Sequence, residues 1–439
     1  MSSAGHNHRV RTLALPLIVL AVGCASAPRA RVAAAVERGD LDAALVAYER
    51  FRSSEGADHD LLARMATLLL EREARSEDPA VRRAAIQQLA LAGTAGMPVL
   101  VRLADAEGVT PARLEALETL ARRNHEPARL ALRSLADSDD PEILAASVLG
   151  MDPALDRDLL LSLAGSPHAR VRKQALDALA LTHDPDVARL LAEAARVDAD
   201  ATVRAAAVRG LGRAGESAVA ILRERLSDPD AGVRLAAVAA LASDARGRQA
   251  LAPMLEIAPA AAGIEAARVL LNAPDTSAAL TARGRAFLLE ALAMDDPALR
   301  AQAGVAFASL PLDREPPLEA LRAALAGEAD PDVRLAFARA LWRHDRAAAR
   351  EALSALLHAD AMPRVQAAAL LASEGDRDAR AVLAEVLGGD GASILRRTAA
   401  RALARDAMDP DAARRALSDE DALVRIYGAG GILAAAVAS

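Results

Sequence analysis

Few residues in this chain invite a chemical reading. His125-Glu126 is the only His-Glu pair. His59, His168, His183, His344 and His358 fall in turns or at helix ends without a shared spacing, so no set of metal ligands is expected. Gly210-Leu-Gly-Arg-Ala-Gly215 fits G-x-G-x-x-G, but it follows helical sequence rather than a strand, at a place where glycines end helices. No Ser-His-Asp or Cys-His pairing presents itself. The single cysteine, Cys24, excludes an internal disulfide and a cysteine cluster for zinc. The residues that do recur at a fixed interval are arginines: Arg82, Arg113, Arg172, Arg204, Arg234, Arg300, Arg334, Arg396 and Arg425. They form either a basic ladder for an anionic ligand or a structural set paired with acids in the turns, and the second reading is preferred. No catalytic residue, cofactor or metal is expected.

The elements that carry these arginines repeat. An Asp, often followed by Pro, precedes an aliphatic-Arg pair and then an Ala-rich amphipathic run, as in Asp78-Pro-Ala-Val-Arg82, Asp200-Ala-Thr-Val-Arg204, Asp296-Pro-Ala-Leu-Arg300, Asp330-Pro-Asp-Val-Arg334 and Asp421-Ala-Leu-Val-Arg425. Asp accepts hydrogen bonds from the first turn of a helix, and Pro at the first helical position costs none. With the aliphatic residue as register, the anchors are Val81, Ala112, Ile143, Val171, Val203, Val233, Ile264, Leu299, Val333, Val365, Leu395 and Val424, about 31 residues apart. That interval suits two helices with tight turns. Ile143, Ile264 and Val365 lack the Arg, and the prolines around Ile264 (Pro253, Pro259, Pro274) predict a change of curvature near 255–280. Composition agrees: the chain is 53% hydrophobic, much of it Ala, with only 2% aromatics, too few for an aromatic-lined pocket. The net charge of −7, scattered along the chain, argues against general nucleic-acid binding, which needs a basic face, and Lys173 as the only lysine reflects composition.

These motifs resemble HEAT repeats of the short, Ala-rich bacterial type, over about residues 77–439 in about twelve copies. The resemblance implies an all-α fold, a right-handed α-α superhelix, and twelve stacked repeats make a body on the order of 100 Å long. It implies that the motif helix lines the concave side. Gln87, Glu118, Asp177, Arg209, Arg339 and Arg401, six positions after their anchors, are then candidates for a partner-binding surface, with Trp342 as a further anchor or a wedge between repeats. Enzymes built on this repeat, such as the deoxyhypusine hydroxylases, need several His-Glu pairs where this chain has one. Residues 30–76 differ: Val36 to Phe51 resembles the helix junction of a tetratricopeptide repeat, and with a third helix from about Asp58 it reads as a helical N-terminal cap. At the other end, Val424 to Val437 is apolar nearly all round with no closing helix after it. It is expected to be buried in its own repeat, or to dock a partner or a second copy through residues 424–439.

The first residues read as an address. A basic start, His6 to Arg11, leads to an apolar run, Leu13 to Val22, too short to span a bilayer but suited to a signal peptide. Leu20-Ala-Val-Gly-Cys24 resembles a bacterial lipobox, which implies a signal peptide over 1–23, a lipid on Cys24 and a linker over 24–29. Ala25 after the cysteine implies sorting to the outer membrane of a diderm bacterium, facing the periplasm. The functional expectation is a lipid-anchored, non-enzymatic scaffold that binds a protein partner at the envelope. The alternative is an enzyme or accessory factor acting on an envelope component through a site formed across repeats.

Overall fold

A computed structural model describes residues 28–438 except 183, 257–259, 312, 313, 315 and 406–408. The signal peptide, Cys24 and its lipobox, His183 and Pro259 lie outside the described residues. The chain divides into two compact units, residues 1–57 and 58–439. In the first, α1 (Pro28–Glu37) and α2 (Leu41–Glu55) pack as a hairpin. Asp40 caps α2 through Ala43 N at 3.0 Å, and Tyr48 and Phe51 are buried.

The second unit is helical throughout, with no strand among the described residues. It begins with α3 (His59–Glu73), which packs here rather than belonging to the first unit. The motif helices follow at every second place: α4 (Pro79–Leu91), α6 (Pro111–Ala121), α8 (Pro141–Ser147), α10 (Ala169–Leu179), α12 (Ala201–Leu211), α14 (Ala231–Leu241), α16 (Ala261–Asn272), α18 (Pro297–Ala308), α20 (Pro331–Leu341), α22 (Ala361–Ala372), α24 (Ser393–Arg405) and α26 (Ala422–Ala438). Between them lie α5 (Met97–Ala104), α7 (Glu126–Arg133), α9 (Arg157–Leu163), α11 (Pro185–Val197), α13 (Val219–Arg225), α15 (Ala245–Ala250), α17 (Ala278–Ala291), α19 (Leu318–Gly327), α21 (Arg346–Leu356), α23 (Arg377–Gly388) and α25 (Pro410–Leu417).

The capping logic holds residue by residue. Asp78, Asp140, Asp200, Asp296 and Asp330 each accept from backbone N–H groups of the first turn they precede. The side-chain cap is missing before α10, where His168 stands, before α22, where Asp360 makes no such bond, and in the repeat at Ile264. In that last repeat α15 runs into a 3-10 turn at Ala252–Leu255, and Ala260 precedes α16 without a side-chain cap.

The unit is not an open rod. Each motif helix packs against the next, and the last, α26, packs against α24 and α25 and also against α3 and α4 at the beginning. Two layers of helices therefore close into a ring. The expected rod of about 100 Å with two free ends is replaced by a wall without ends. The apolar character of the last helix is explained by this seam. Val424, Ile426, Ala429, Ile432 and Leu433 are buried, and the neighbours that bury them come from both ends of the same unit. The face assigned to self-association is thus taken by α3 and α4. Three glycines let α26 sit so close. A Cβ at Gly428 would meet Ala416 Cβ at 2.6 Å, one at Gly431 would meet the Arg401 carbonyl oxygen at 2.7 Å, and one at Gly430 would collide with the buried Gln88.

Candidate functional site

Motif helices touch their neighbours all the way round, whereas successive helices of the other layer meet closely at only a few places. In a curved two-layer wall the tighter layer has the shorter circumference, so the motif helices form the inner wall. Each is flanked by motif helices on both sides and backed by the other layer. The one stripe left exposed along its middle must face the opening. Twelve axes about 9–10 Å apart on one circle enclose an opening on the order of 25 Å once helix radii are subtracted.

The repeating arginines do not line this opening; they hold the wall together. Arg172 donates Nη1 to the Ser166 carbonyl of its own turn at 2.9 Å and both Nε and Nη2 to Asp198 of the next at 2.9 and 2.8 Å. Arg204 repeats the pattern with the Asp198 carbonyl and the Asp228 carboxylate, and Arg300 with the Met294 carbonyl and Glu328. Arg82 bonds the Ser76 carbonyl and Glu115, and Arg396 bonds the Gly391 carbonyl and Asp419. Arg234 and Arg334 hold the carbonyls of Asp228 and Glu328, and Arg113 those of Ala104 and Gly108. Arg425 has no later repeat. It bonds the Asp419 carbonyl at 2.8 Å and reaches Glu73 at the end of α3, 3.0 Å away, so the ladder runs across the seam.

Two acids share the work in these turns. Asp228 is buried and receives Arg204, Arg225 and the Asp230 N–H, while Asp230 caps α14. The pairs Asp198/Asp200, Glu328/Asp330 and Asp419/Asp421 divide in the same way. Burial would raise the Asp228 and Asp198 carboxyls, but the guanidinium of the preceding repeat and a backbone N–H outweigh it, and both lie below the ordinary range. Arg300 holds Glu328 low, and the acids raise Arg172, Arg204 and Arg300 in return. The acid two residues before the cap is visible in the sequence and is the signal that reading for caps alone passes over. A second set of pairs joins helices of the outer layer: Arg133–Asp156 and Arg157–Asp184 at 2.6 Å, and Arg322–Asp345 at 2.5 Å.

The inner stripe carries the six residues placed six positions after the anchors. Gln87, Arg209, Arg339 and Arg401 are exposed on it, and Asp177 is half-buried. Glu118 is buried, pinned by Arg122 at 3.1 Å and by Arg170 of α10 at 2.9 Å. Asp177 pairs with Lys173 at 2.8 Å and Arg209 at 3.5 Å. Neighbouring stripes are continuous: Asn272 donates to Ser309 at 3.3 Å, and Thr398 lies 3.9 Å from the Met362 sulfur. Trp342 ends α20 half-buried against the core, with the Arg346 guanidinium 4.2 Å from its ring centroid.

The remaining motifs find structural roles. His125 caps α7, its Nδ1 accepting from Ala128 N at 3.4 Å. Gly210 lies inside α12, where a Cβ would meet Ala180 Cβ at 2.9 Å, and Gly215 turns the chain at φ +66°. Among the described residues no cluster of His, Cys, Asp or Glu could hold a metal ion, and no helix is long and apolar enough to cross a membrane. A cleft of about 570 Å3 lies between α11 and α13, lined mainly by apolar side chains such as Val187, Leu191 and Ile221.

A family model described as HEAT repeats matches residues 149–212, 191–270 and 318–404. No curated protein matches the sequence. Among solved structures the chain is similar to Kap95p in a study of its binding to RanGDP, at 15% identity over 93% of this chain and 62% of that one, with a TM-score of 0.36. It is similar to importin beta, at 15% over 90% and 63%, TM-score 0.36. It is also similar to the CpcE and CpcF complex of phycocyanin lyase from Nostoc sp. PCC7120, at 16% over 72% and 94%, TM-score 0.27. The chain spans less than two thirds of the Kap95p and importin beta chains, and such scores carry nothing about what it binds. Repeated caps, the arginine ladder and the matched segments together show that this chain carries HEAT repeats, over residues 149–270 and 318–404 by the family model.

Proposed function

We propose that the protein is a lipid-anchored, non-catalytic HEAT-repeat scaffold that binds a protein partner at the cell envelope. The observation that carries this reading is the inner wall: the motif helices present an accessible stripe with Gln87, Arg209, Arg339 and Arg401 exposed on it, while their recurring Arg and Asp pairs are used up inside the wall. A surface built this way recognises by shape and charge, which is how an extended helical-repeat wall serves binding. The basic start, the short apolar run and the lipobox-like Leu20 to Cys24 support export and acylation of Cys24, with the outer membrane facing the periplasm as the destination. A lipid anchor and a large binding surface on one chain raise the local concentration of whatever is held.

The test is fractionation and capture in a diderm host. Wild type is expected in the membrane fraction and Cys24→Ala in the soluble fraction, with one protein set crosslinked to both forms. A wild-type chain that stays soluble removes the anchor from the reading, and crosslinking without any enriched protein removes the partner.

A further inference from the structure

The inner wall is basic in a protein whose net charge is −7. Its stripes carry Arg83, Arg122, Arg170, Lys173, Arg209, Arg268, Arg339, Arg397 and Arg401, against Glu118, Asp177 and Glu265 along the same stripes and Glu142 at the start of α8. Each of those four acids is already paired with a base on the wall: Glu118 and Glu142 with Arg170, Asp177 with Lys173, and Glu265 with Arg268. The excess is concentrated on one arc, α20, α22, α24, α26 and α4. There the stripes hold Arg339, Arg397, Arg401 and Arg83 and, past the first turns, no acid among the described residues. Arg397 lies over the Tyr427 ring at 5.9 Å and its charge also acts on the Asp421 carboxylate at the start of α26, while Arg83 donates to the Pro79 carbonyl of its own helix. Among the described residues, Arg339 and Arg401 have no carboxylate within salt-bridge distance. The protein around Arg339 lowers its pKa by desolvation, with no acid to offset it. Arg397 and Arg401 stand four residues apart on one helix face, where like charges repel until an anion lies between them.

The same stripes are apolar between the charges. Leu91 (61% exposed), Val305 (52%), Leu181, Leu235 and Ile394 stand open on the inner wall. A phosphate backbone has no use for aliphatic side chains at this spacing, and the wall offers no run of aromatic platforms for bases. Carboxylates alternating with aliphatic groups match both features at once. Resting on the scaffold reading above, we infer that the arc from α20 to α4 holds an acidic, amphipathic polypeptide segment of the protein partner inside the ring. Its carboxylates meet Arg339, Arg397 and Arg401, and its apolar side meets Ile394 and Leu91.

The experiment uses the full chain carrying Cys24→Ala and four fluorescein-labelled probes: a 20-residue Glu/Leu amphipathic peptide, its Lys/Leu counterpart, a Ser/Leu peptide and a 20-nucleotide single-stranded DNA. Anisotropy is expected to show the Glu/Leu peptide binding at least about tenfold more tightly than any other probe, and more weakly as salt rises. R339E/R401E is expected to remove that preference, and the milder R339Q/R401Q to reduce it, both with an unchanged helical melt. Benzoylphenylalanine at Gln87 is expected to crosslink the Glu/Leu peptide, and the same group at Leu130 on the outer layer not to. Equal binding of the DNA or of the Lys/Leu peptide overturns the inference. So does a preference untouched by both double variants, no peptide binding, or crosslinking from Leu130 alone. Because protein capture in cells is read separately, a captured partner alongside any of these outcomes leaves the scaffold standing and removes only this occupant.

Discussion

At the residue scale the repeating arginines are spent on the protein's own architecture. Asp228 shows why. Its side chain is 1% exposed and takes two guanidinium contacts from Arg204, one from Arg225 and one backbone N–H. Asp228→Ala strands Arg204 and Arg225, so unfolding in urea should show a loss of about 3 kcal/mol, as for a broken buried pair. The paired carboxyls also set the pH response. Asp198, Asp228 and Glu328 have folded pKa values below their unfolded ones, so the unfolded chain binds more protons through the carboxylate range. Their stabilisation is complete above the ordinary carboxylate pKa of about 4 and is lost as pH falls through the lower folded values. Melting temperature measured between pH 7 and 3 should hold steady and then drop, and Glu328→Gln should shallow the drop.

At the element scale the wall depends on close approach at the seam. Gly431→Val pushes a side chain into the Arg401 carbonyl of α24, and should cost about 1–3 kcal/mol as overpacking does. The melt should fall accordingly, while Val437→Ala, at an exposed site on the same helix, leaves it unchanged. Much of this scale was legible beforehand. Asp before Pro, aliphatic before Arg and the interval of about 31 residues specify the motif helices, because capping and periodicity are local properties. That Gln87, Arg209, Arg339 and Arg401 occupy one register position follows from the repeat spacing, whereas which side of the wall they line was implied only by the resemblance to HEAT repeats. The forward pairing of each Arg was readable only in outline, because the acid that receives it sits two residues before the cap and looks like a spare cap. The contact of Arg425 with Glu73 was not readable at all. No local pattern links residues so far apart, and the only hints were three glycines in a last helix that is apolar on every side.

At the scale of the second unit, closure decides solution behaviour. Deleting residues from about 420 onward uncovers the faces of α3, α4 and α24 together. Scattering should report a larger radius of gyration, and size exclusion should show association where the intact Cys24→Ala chain runs as a monomer. A deletion that left both unchanged would mean that the ring is not closed in solution. The seam also sets a schedule. Within this unit helix α26 leaves the ribosome after every other helix. Until it arrives, the faces of α3 and α4 that it covers stay wet, however completely the rest has folded. Docking of this single helix is what closes the seam, through contacts with α3, α4 and α24. The unfinished chain is therefore the sticky form of this protein, and the seconds between first and last helix are the interval in which a cell must keep neighbouring copies apart.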